Sequence, residues 1–391
     1  MTEDDSLPRL PSDLRVAIVH YWFVGCGGGE RVIEALAEIF PRADIHALVA
    51  DSAKLPPALA GREVKTSFLQ HVPGARRFHR HFFPLQAIAL EQFDLSQYEL
   101  VISSESGPAK GVITPAGTCH VCYCHSPMRY IWEMYPEYRR GMNRVVGLIY
   151  SLVAHYMRIW DYASAGRVDY FVANSHFTAS RIRKYYRRQS SVIYPPVGID
   201  ARELVDAPGK YYLAVGRLVD YKRMDLAVEA CTRLGRELRV IGEGPQYKAL
   251  RRMAGPTVTF LGRISDEEVD DNLRSCRALL FPGTEDFGLV PVEAQSFGRP
   301  VIAYAAGGAL ESIRGTILGA EPLDNPTGIF FTRQSSEGLA EAILTFESKE
   351  SEFHPETIRQ HSRQFNRSRF KREMAEFIQS ALKDFRAKNS A

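Results

Sequence analysis

The sequence predicts an α/β protein of two doubly wound domains, each a parallel sheet wrapped by helices. Three observations carry this. At 391 residues the chain is longer than one hydrophobic core usually serves. Short apolar runs alternate with segments of helical period through both halves. Glycine-containing turns stand directly after many of those runs, as in sheets that bind ligands beyond their strand ends. The apolar fraction of 45% and charged fraction of 24% are those of an ordinary folded chain and exclude a largely disordered one.

The first element is Leu14–His20, a mostly apolar strand leading into the turn Gly25–Gly29. Glu30–Phe40 follows with Val32, Ile33, Leu36, Ala37 and Phe40 at helical spacing, which completes a β-turn-α unit. Further strands are expected at Asp44–Val49, Glu99–Ser103, Cys119–Cys124, Asp169–Ala173 and Ser191–Tyr194. A second series comprises Tyr211–Val215, Glu237–Ile241, Val258–Leu261, Ala278–Phe281 and Pro300–Tyr304. Pro195–Gly209, with three prolines and few large apolar residues, reads as the linker. The expected domains are 1–205 and 206–365, both Rossmann-like and facing across a cleft. Residues 366–391 form a last amphipathic helix with Phe370, Met374, Phe377, Ile378, Ala381 and Leu382 on one side, able to pack back on the first domain.

No segment is expected to span a bilayer. The longest apolar stretch, Val145–Met157, is broken by Tyr150, Ser151 and His155 and reads more readily as a buried helix than as an apolar element of a membrane-facing surface. The start, with Glu3, Asp4 and Asp5, lacks the basic-then-apolar pattern of a signal peptide. The expectation is a cytoplasmic protein, peripheral on the cytoplasmic membrane face. The lead Met1–Ser12 and the tail Arg386–Ala391 read as loose ends.

The six cysteines, Cys26, Cys119, Cys122, Cys124, Cys231 and Cys276, are expected to be reduced thiols. CHVCYCH at 119–125 imitates metal-ligand spacing, but no second ligand pair closes a tetrahedron, so a strand carrying one useful histidine is the better reading. Charge is uneven: between Arg76 and Arg188, fifteen Lys and Arg stand against eight Asp and Glu. Such a field suits anionic lipid or a phosphorylated acceptor. No nucleic-acid motif accompanies it, so no nucleic-acid partner is expected. Arg76–Phe83, RRFHRHFF, interleaves basic and aromatic residues as interfacial anchors do, with Arg76, Arg77 and Arg80 as its charges.

The chemistry concentrates after the strands of the second half. Gly216-Arg217 with Lys222 follows Tyr211–Val215, and Gly242-Glu243-Gly244-Pro245 follows Glu237–Ile241. Gly262-Arg263 follows Val258–Leu261, and Gly283–Leu289 runs from Ala278–Phe281 into a helix carrying Glu293. Gly288 permits close approach of backbone, and free amides at a helix start favour a diphosphate. A carboxylate before that turn, Glu285, could grip sugar hydroxyls, and Glu293 a ribose diol. Arg217 and Lys222 would neutralise a leaving diphosphate.

These motifs carry a resemblance. GTEDFGLVPVEAQSFGRPVIAYAAGG (283–308), VGRLVDYKRMDLAV (215–228) and IGEGP (241–245) are similar to the signature of family-four retaining glycosyltransferases of the GT-B fold. GGGER after the first strand resembles that family's glycine loop, though preceded by Cys26 and tighter than in many relatives. CHSPMRYIWE (124–133) resembles the mannosyltransferase branch that builds surface polysaccharides. The resemblance implies that Glu285 and the amides of Phe287, Gly288 and Leu289 hold the donor sugar and its phosphate, and that Glu293 binds the ribose. Arg217 and Lys222 would stabilise the diphosphate. Gly27, Gly28 and Gly29 would admit the donor phosphates, and His125 would stand near the anomeric carbon. Gly216 belongs to the same donor-binding set. The base would sit near Gly242, Arg263 and Ile264. No metal or other cofactor is implied. The expected reaction moves mannose from GDP-mannose to a lipid-diphosphate-linked oligosaccharide. A UDP-glucose or UDP-galactose enzyme, a nucleotide-sugar epimerase, a glycosyl phosphorylase and a non-catalytic scaffold on the same fold stay open.

Overall fold

In a computed structural model of the chain, residues 8, 10–25, 27–199, 209–318 and 323–389 are described, with the side chains of Arg80 and His81 excepted. Cys26, most of the expected loose lead, and the last two residues of the expected loose tail lie outside the described residues.

The chain divides into two compact units, Met1–Pro196 with Arg367–Ala391, and Val197–Asn366. The first holds β1 (Val16–Phe23), β2 (Asp44–Ala50), β3 (Val64–Thr66), β4 (Leu100–Glu105), β5 (Cys119–Cys124), β6 (Tyr170–Ala173) and β7 (Ser190–Val192). They form one parallel sheet in the order β3-β2-β1-β4-β5-β6-β7. The second holds β8 (Tyr212–Val215), β9 (Leu238–Ile241), β10 (Val258–Gly262), β11 (Ala278–Phe281), β12 (Val301–Tyr304), β13 (Gly315–Ile317) and β14 (Gly328–Phe331). Their parallel order is β10-β9-β8-β11-β12-β14-β13. Each sheet has a central switch point, between β1 and β4 in the first and between β8 and β11 in the second. Loops leave opposite ways at such a switch point, and ligands enter there.

Continuous apolar strands are what a sheet covered on both faces requires. In β1, Val16 and Ile18 face one core while Ala17 and Val19 face another. In β11, Ala278 and Leu280 face one core while Leu279 and Phe281 face the other. Three strands escaped the sequence reading. β3 and β13 are only three residues long, and β14, which separates β12 from β13, is a four-residue run. Runs that short carry no period to read.

The boundary between the units falls at Pro196/Val197, ahead of the expected 205/206, and residues 200–208 of the expected linker lie outside the described residues. The last helix, Arg367–Asn389, belongs to the first unit. Phe370, Met374, Ile378, Ala381 and Leu382 enter its core, and Arg369 donates to the Tyr194 carbonyl at 2.9 Å. The helix Arg144–Ala165 departs from the expectation of a buried segment: Leu148, Leu152 and Ile159 are 61, 64 and 59% exposed. Periodicity reports that a helix has two faces but not which one meets water.

Phe370 is fully buried and meets the Tyr123 ring edge-on at 5.6 Å. Phe370→Ala is expected to destabilise the first unit by about 3–5 kcal/mol. Urea unfolding followed by a probe in that unit checks it, and an unchanged midpoint would contradict the packing described.

Candidate active site

In the second unit, the turns after β8, β9, β11 and β12 lock together through their backbones. Gly216 N–H donates to the Ile241 carbonyl at 2.9 Å, Leu218 N–H to Glu243 at 2.9 Å, and Gly308 N–H to Glu285 at 2.9 Å. The approach is closest at Gly242, where an added Cβ would fall 2.0 Å from the Gly216 oxygen and φ is +134°. No side chain fits there, and the left-handed backbone excludes one independently.

This layer brings Lys222 and Glu285 together. Lys222 ends a short 3-10 turn after β8, and Glu285 stands in the turn after the neighbouring strand β11. Their ammonium and carboxylate form a direct ion pair, with side chains 12 and 20% exposed. Gly216 lies against the same lysine, since a Cβ there would meet Lys222 Nζ at 2.9 Å. Arg217, beside it in sequence, is exposed. Gly288 caps the helix Leu289–Ser296 with φ +86°, leaving the helix-start amides without a side-chain cap. Phe287 is buried and Leu289 half-buried around it, and Glu293, inside the helix, is 7% exposed. Arg263 is exposed, and Ile264 packs partly into the adjacent core. A cation and a carboxylate at a switch point, next to uncapped amides, can hold an anionic ligand and polar hydroxyls together.

In the first unit, β1 runs into Gly27, which caps the helix Gly28–Ile39 in extended conformation. Gly28 and Gly29 therefore form the first helical turn. A Cβ on Gly29 would meet Tyr21 Oη at 3.1 Å, the His20 ring at 3.4 Å and His125 Nε2 at 3.8 Å. His125 and the glycine turn are thus brought together. His125 follows β5 and is half-buried; its amide donates to the Glu105 carbonyl at 2.6 Å, and Nε2 lies 2.9 Å from Ser104 Oγ. Burial, then the nearby His20, holds its pKa down to about 3, so the ring is neutral at physiological pH. His20 is fully buried, with Nε2 3.9 Å from Glu30.

Behind His125 lies a buried charge cluster. Lys110, Glu105 and Asp161 are fully buried; Lys110 Nζ is 3.0 Å from Glu105 and bonds Asp161 directly. Trp132 Nε1 donates to Asp161 at 2.7 Å. One cation serves two carboxylates, and burial pushes Glu105 up to about 7. Arg181 ties Ser126 to Glu133 across the CHSPMRYIWE segment.

The sequence reading missed Ser104, His20 and this cluster. The polar residues Ser103, Ser104 and Glu105 closing an otherwise apolar strand were the available signal. Cys119 faces one core of the sheet while Cys122 and Cys124 face another, so their sulfurs do not converge. No group of three or more His, Cys, Asp or Glu suited to a metal occurs among the described residues.

Two family descriptions match the chain in succession: Glycosyltransferase Family 4 over residues 26–201 and Glycosyl transferases group 1 over 199–365. Human alpha-1,3/1,6-mannosyltransferase ALG2 is 29% identical over 219 residues, covering 46% of this chain and 52% of its own. O-antigen chain mannosyltransferase C of Escherichia coli is 26% identical over 196 residues, covering 45% of this chain and 50% of its own. The chain thus spans about half the length of the first curated relatives it matches. Among solved structures, HepE of Anabaena in complex with UDP has a TM-score of 0.67 at 18% identity, covering 94% of this chain and 100% of its own. Sucrose-phosphate synthase of Thermosynechococcus elongatus has 0.66 at 16%, covering 94% and 99%. At these identities the solved structures show the fold, which is GT-B.

Because its folded pKa lies below the unfolded value of about 6.5, His125 contributes stability that is present above pH 6.5 and lost as pH falls toward 3. The Cε1 proton resonance of His125 is expected to stay fixed between pH 5 and 8. A titration midpoint near 6.5 would contradict a neutral, buried ring.

Proposed function

We propose that this chain, in which a family 4 half and a group 1 glycosyltransferase half follow one another on the GT-B fold, is a retaining hexosyltransferase. The observation that carries the reading is the Lys222–Glu285 pair at the carboxyl edge of the second sheet, inside the segment matched by the group 1 family. The donor proposed is GDP-mannose and the acceptor a lipid-diphosphate-linked oligosaccharide. Similarity to ALG2 and to the O-antigen mannosyltransferase supports mannose.

In this reading the sugar C1–O bond to the diphosphate breaks, and an acceptor oxygen forms the new bond to C1 on the same face. The acceptor proton passes to the departing diphosphate. Negative charge grows on that diphosphate, and Lys222, Arg217 and the amides of Phe287, Gly288 and Leu289 stabilise it without a metal. Glu285 accepts hydrogen bonds from sugar hydroxyls while keeping Lys222 oriented. Glu293 takes the ribose, and the base lies near Gly242, Arg263 and Ile264. The first unit binds the acceptor, while its Gly27, Gly28 and Gly29 admit the donor phosphates and its His125 meets the donor sugar near the anomeric carbon. A neutral His125 contributes as a hydrogen-bonding ring rather than as an imidazolium acid.

Arg217→Ala and Lys222→Ala are each expected to lower kcat by roughly 10²–10³, about 3–4 kcal/mol of barrier. Arg217 is exposed, so its variant should unfold as the parent does. Lys222→Ala leaves Glu285 without its partner and should also lose about 1–3 kcal/mol of stability. Folded variants with parental rates would refute the diphosphate assignment. EDTA is expected to leave the rate intact, and strict dependence on Mg²⁺ or Mn²⁺ would contradict charge stabilisation by side chains alone. Across a nucleotide-sugar panel GDP-mannose should turn over fastest with an α-linked product; preference for UDP-glucose would overturn the mannose assignment.

A further inference from the structure

The helix Arg144–Ala165 has its polarity inverted. Its inward residues, among them Gly147, Ala154, Met157, Trp160, Asp161 and Ser164, fall on one side at 100° per residue. The opposite side carries Val145, Leu148, Ile149, Leu152, Tyr156 and Ile159, exposed by 69, 61, 57, 64, 50 and 59%. A surface helix in water places charged residues on that side. Here none of the six is charged, and the stripe runs about 21 Å along the axis at 1.5 Å per residue.

The helix Phe83–Glu91, which touches Arg144–Ala165, also exposes apolar residues, Leu85 and Ile88 at 42 and 45%. Trp160 Nε1 joins the two helices through Glu91 at 2.8 Å. Exposed Arg139, Arg140 and Arg144 stand at the stripe's amino end. Exposed Arg183 and Lys184 lie on the helix His176–Tyr186, which packs beside it. In the expected anchor Arg76–Phe83, Arg76, Arg77 and Phe78 are exposed, with Arg76 3.7 Å from Asp51, while Phe82 and Phe83 pack partly against the core. Arg80 lies outside the described side chains.

We propose that this face of the Arg144–Ala165 helix seats the first unit on an anionic lipid bilayer, with Leu148, Leu152 and Ile159 at the acyl boundary. Arg139, Arg140 and Arg144 would reach the headgroups. The helix lies in the interface rather than crossing it, because its other side is fixed by Trp160 and by the bonds of Asp161 to Lys110 and Trp132. Charge selects lipid over a second copy of the chain. A second copy brings the same positive excess, whereas anionic headgroups neutralise it. The inference does not depend on which sugar is transferred.

The test is sedimentation of the full chain with vesicles of phosphatidylcholine alone and of phosphatidylcholine mixed with phosphatidylglycerol. Binding is expected to the mixed vesicles and to fall with salt. The double variant Leu152→Glu/Ile159→Glu should bind at least tenfold more weakly. Each of Arg139→Gln, Arg140→Gln and Arg144→Gln should cost about fivefold on anionic vesicles. Leu152→Asn/Ile159→Asn repeats the test without added charge, and circular dichroism confirms folding of each variant. Hydrolysis of nucleotide sugar measured alongside should be unchanged, which separates failure of the membrane face from failure of the transferase reading. Parental binding by both double variants, or no binding by the parent, would overturn the proposal. So would a dimer dissolved by these substitutions in the absence of vesicle binding, which would give the face to a second copy.

Discussion

Backbone packed directly on backbone at the carboxyl edge of the second sheet is the constraint on which the candidate site depends. Gly242 stands so close to the Gly216 carbonyl that even a methyl group is excluded. Gly308 in turn holds the Glu285 carbonyl from the turn after β12. Four loops that could each wander are thereby reduced to one layer. Lys222 and Glu285, contributed by the strands on either side of the switch point, then have one place to be. Their ion pair is a consequence of the packing rather than its cause. A pair of this exposure contributes modestly to stability, and its value lies in presenting a positioned cation and carboxylate to a ligand.

The first unit solves a different problem with the same sheet. Its β4 ends in the polar residues Ser104 and Glu105, and His125 directly follows β5. The Lys110–Glu105–Asp161 cluster anchors that end from below, and Glu105 holds the His125 amide through its carbonyl. A buried cluster of this kind adds little net stability, but removing one member would leave a charge stranded. The result is a neutral imidazole against the glycine turn, fixed by Ser104 and shielded by burial.

Much of this was legible in the sequence because it rests on local rules. Apolar strands, helical spacing and glycines after strands announce a parallel sheet and its ligand edge, and Lys222, Glu285 and His125 stand where such edges place chemistry. What was not legible depends on contacts distant in the chain. The pairing of Lys110 with Asp161 joins residues that no spacing relates. The insertion of β14 between β12 and β13 reverses chain order within one edge of the sheet. The outward face of Arg144–Ala165 is apolar, and an apolar run is read from sequence as core.

The most direct test of the central claim, that the carboxyl edge of the second sheet receives a nucleoside diphosphate, is amide hydrogen exchange with and without GDP. Slowed exchange is expected in segments 215–223 and 283–293, with the largest effect at the helix-start amides of Phe287, Gly288 and Leu289. Binding of GDP without protection there, or with protection confined to other segments, would contradict the account.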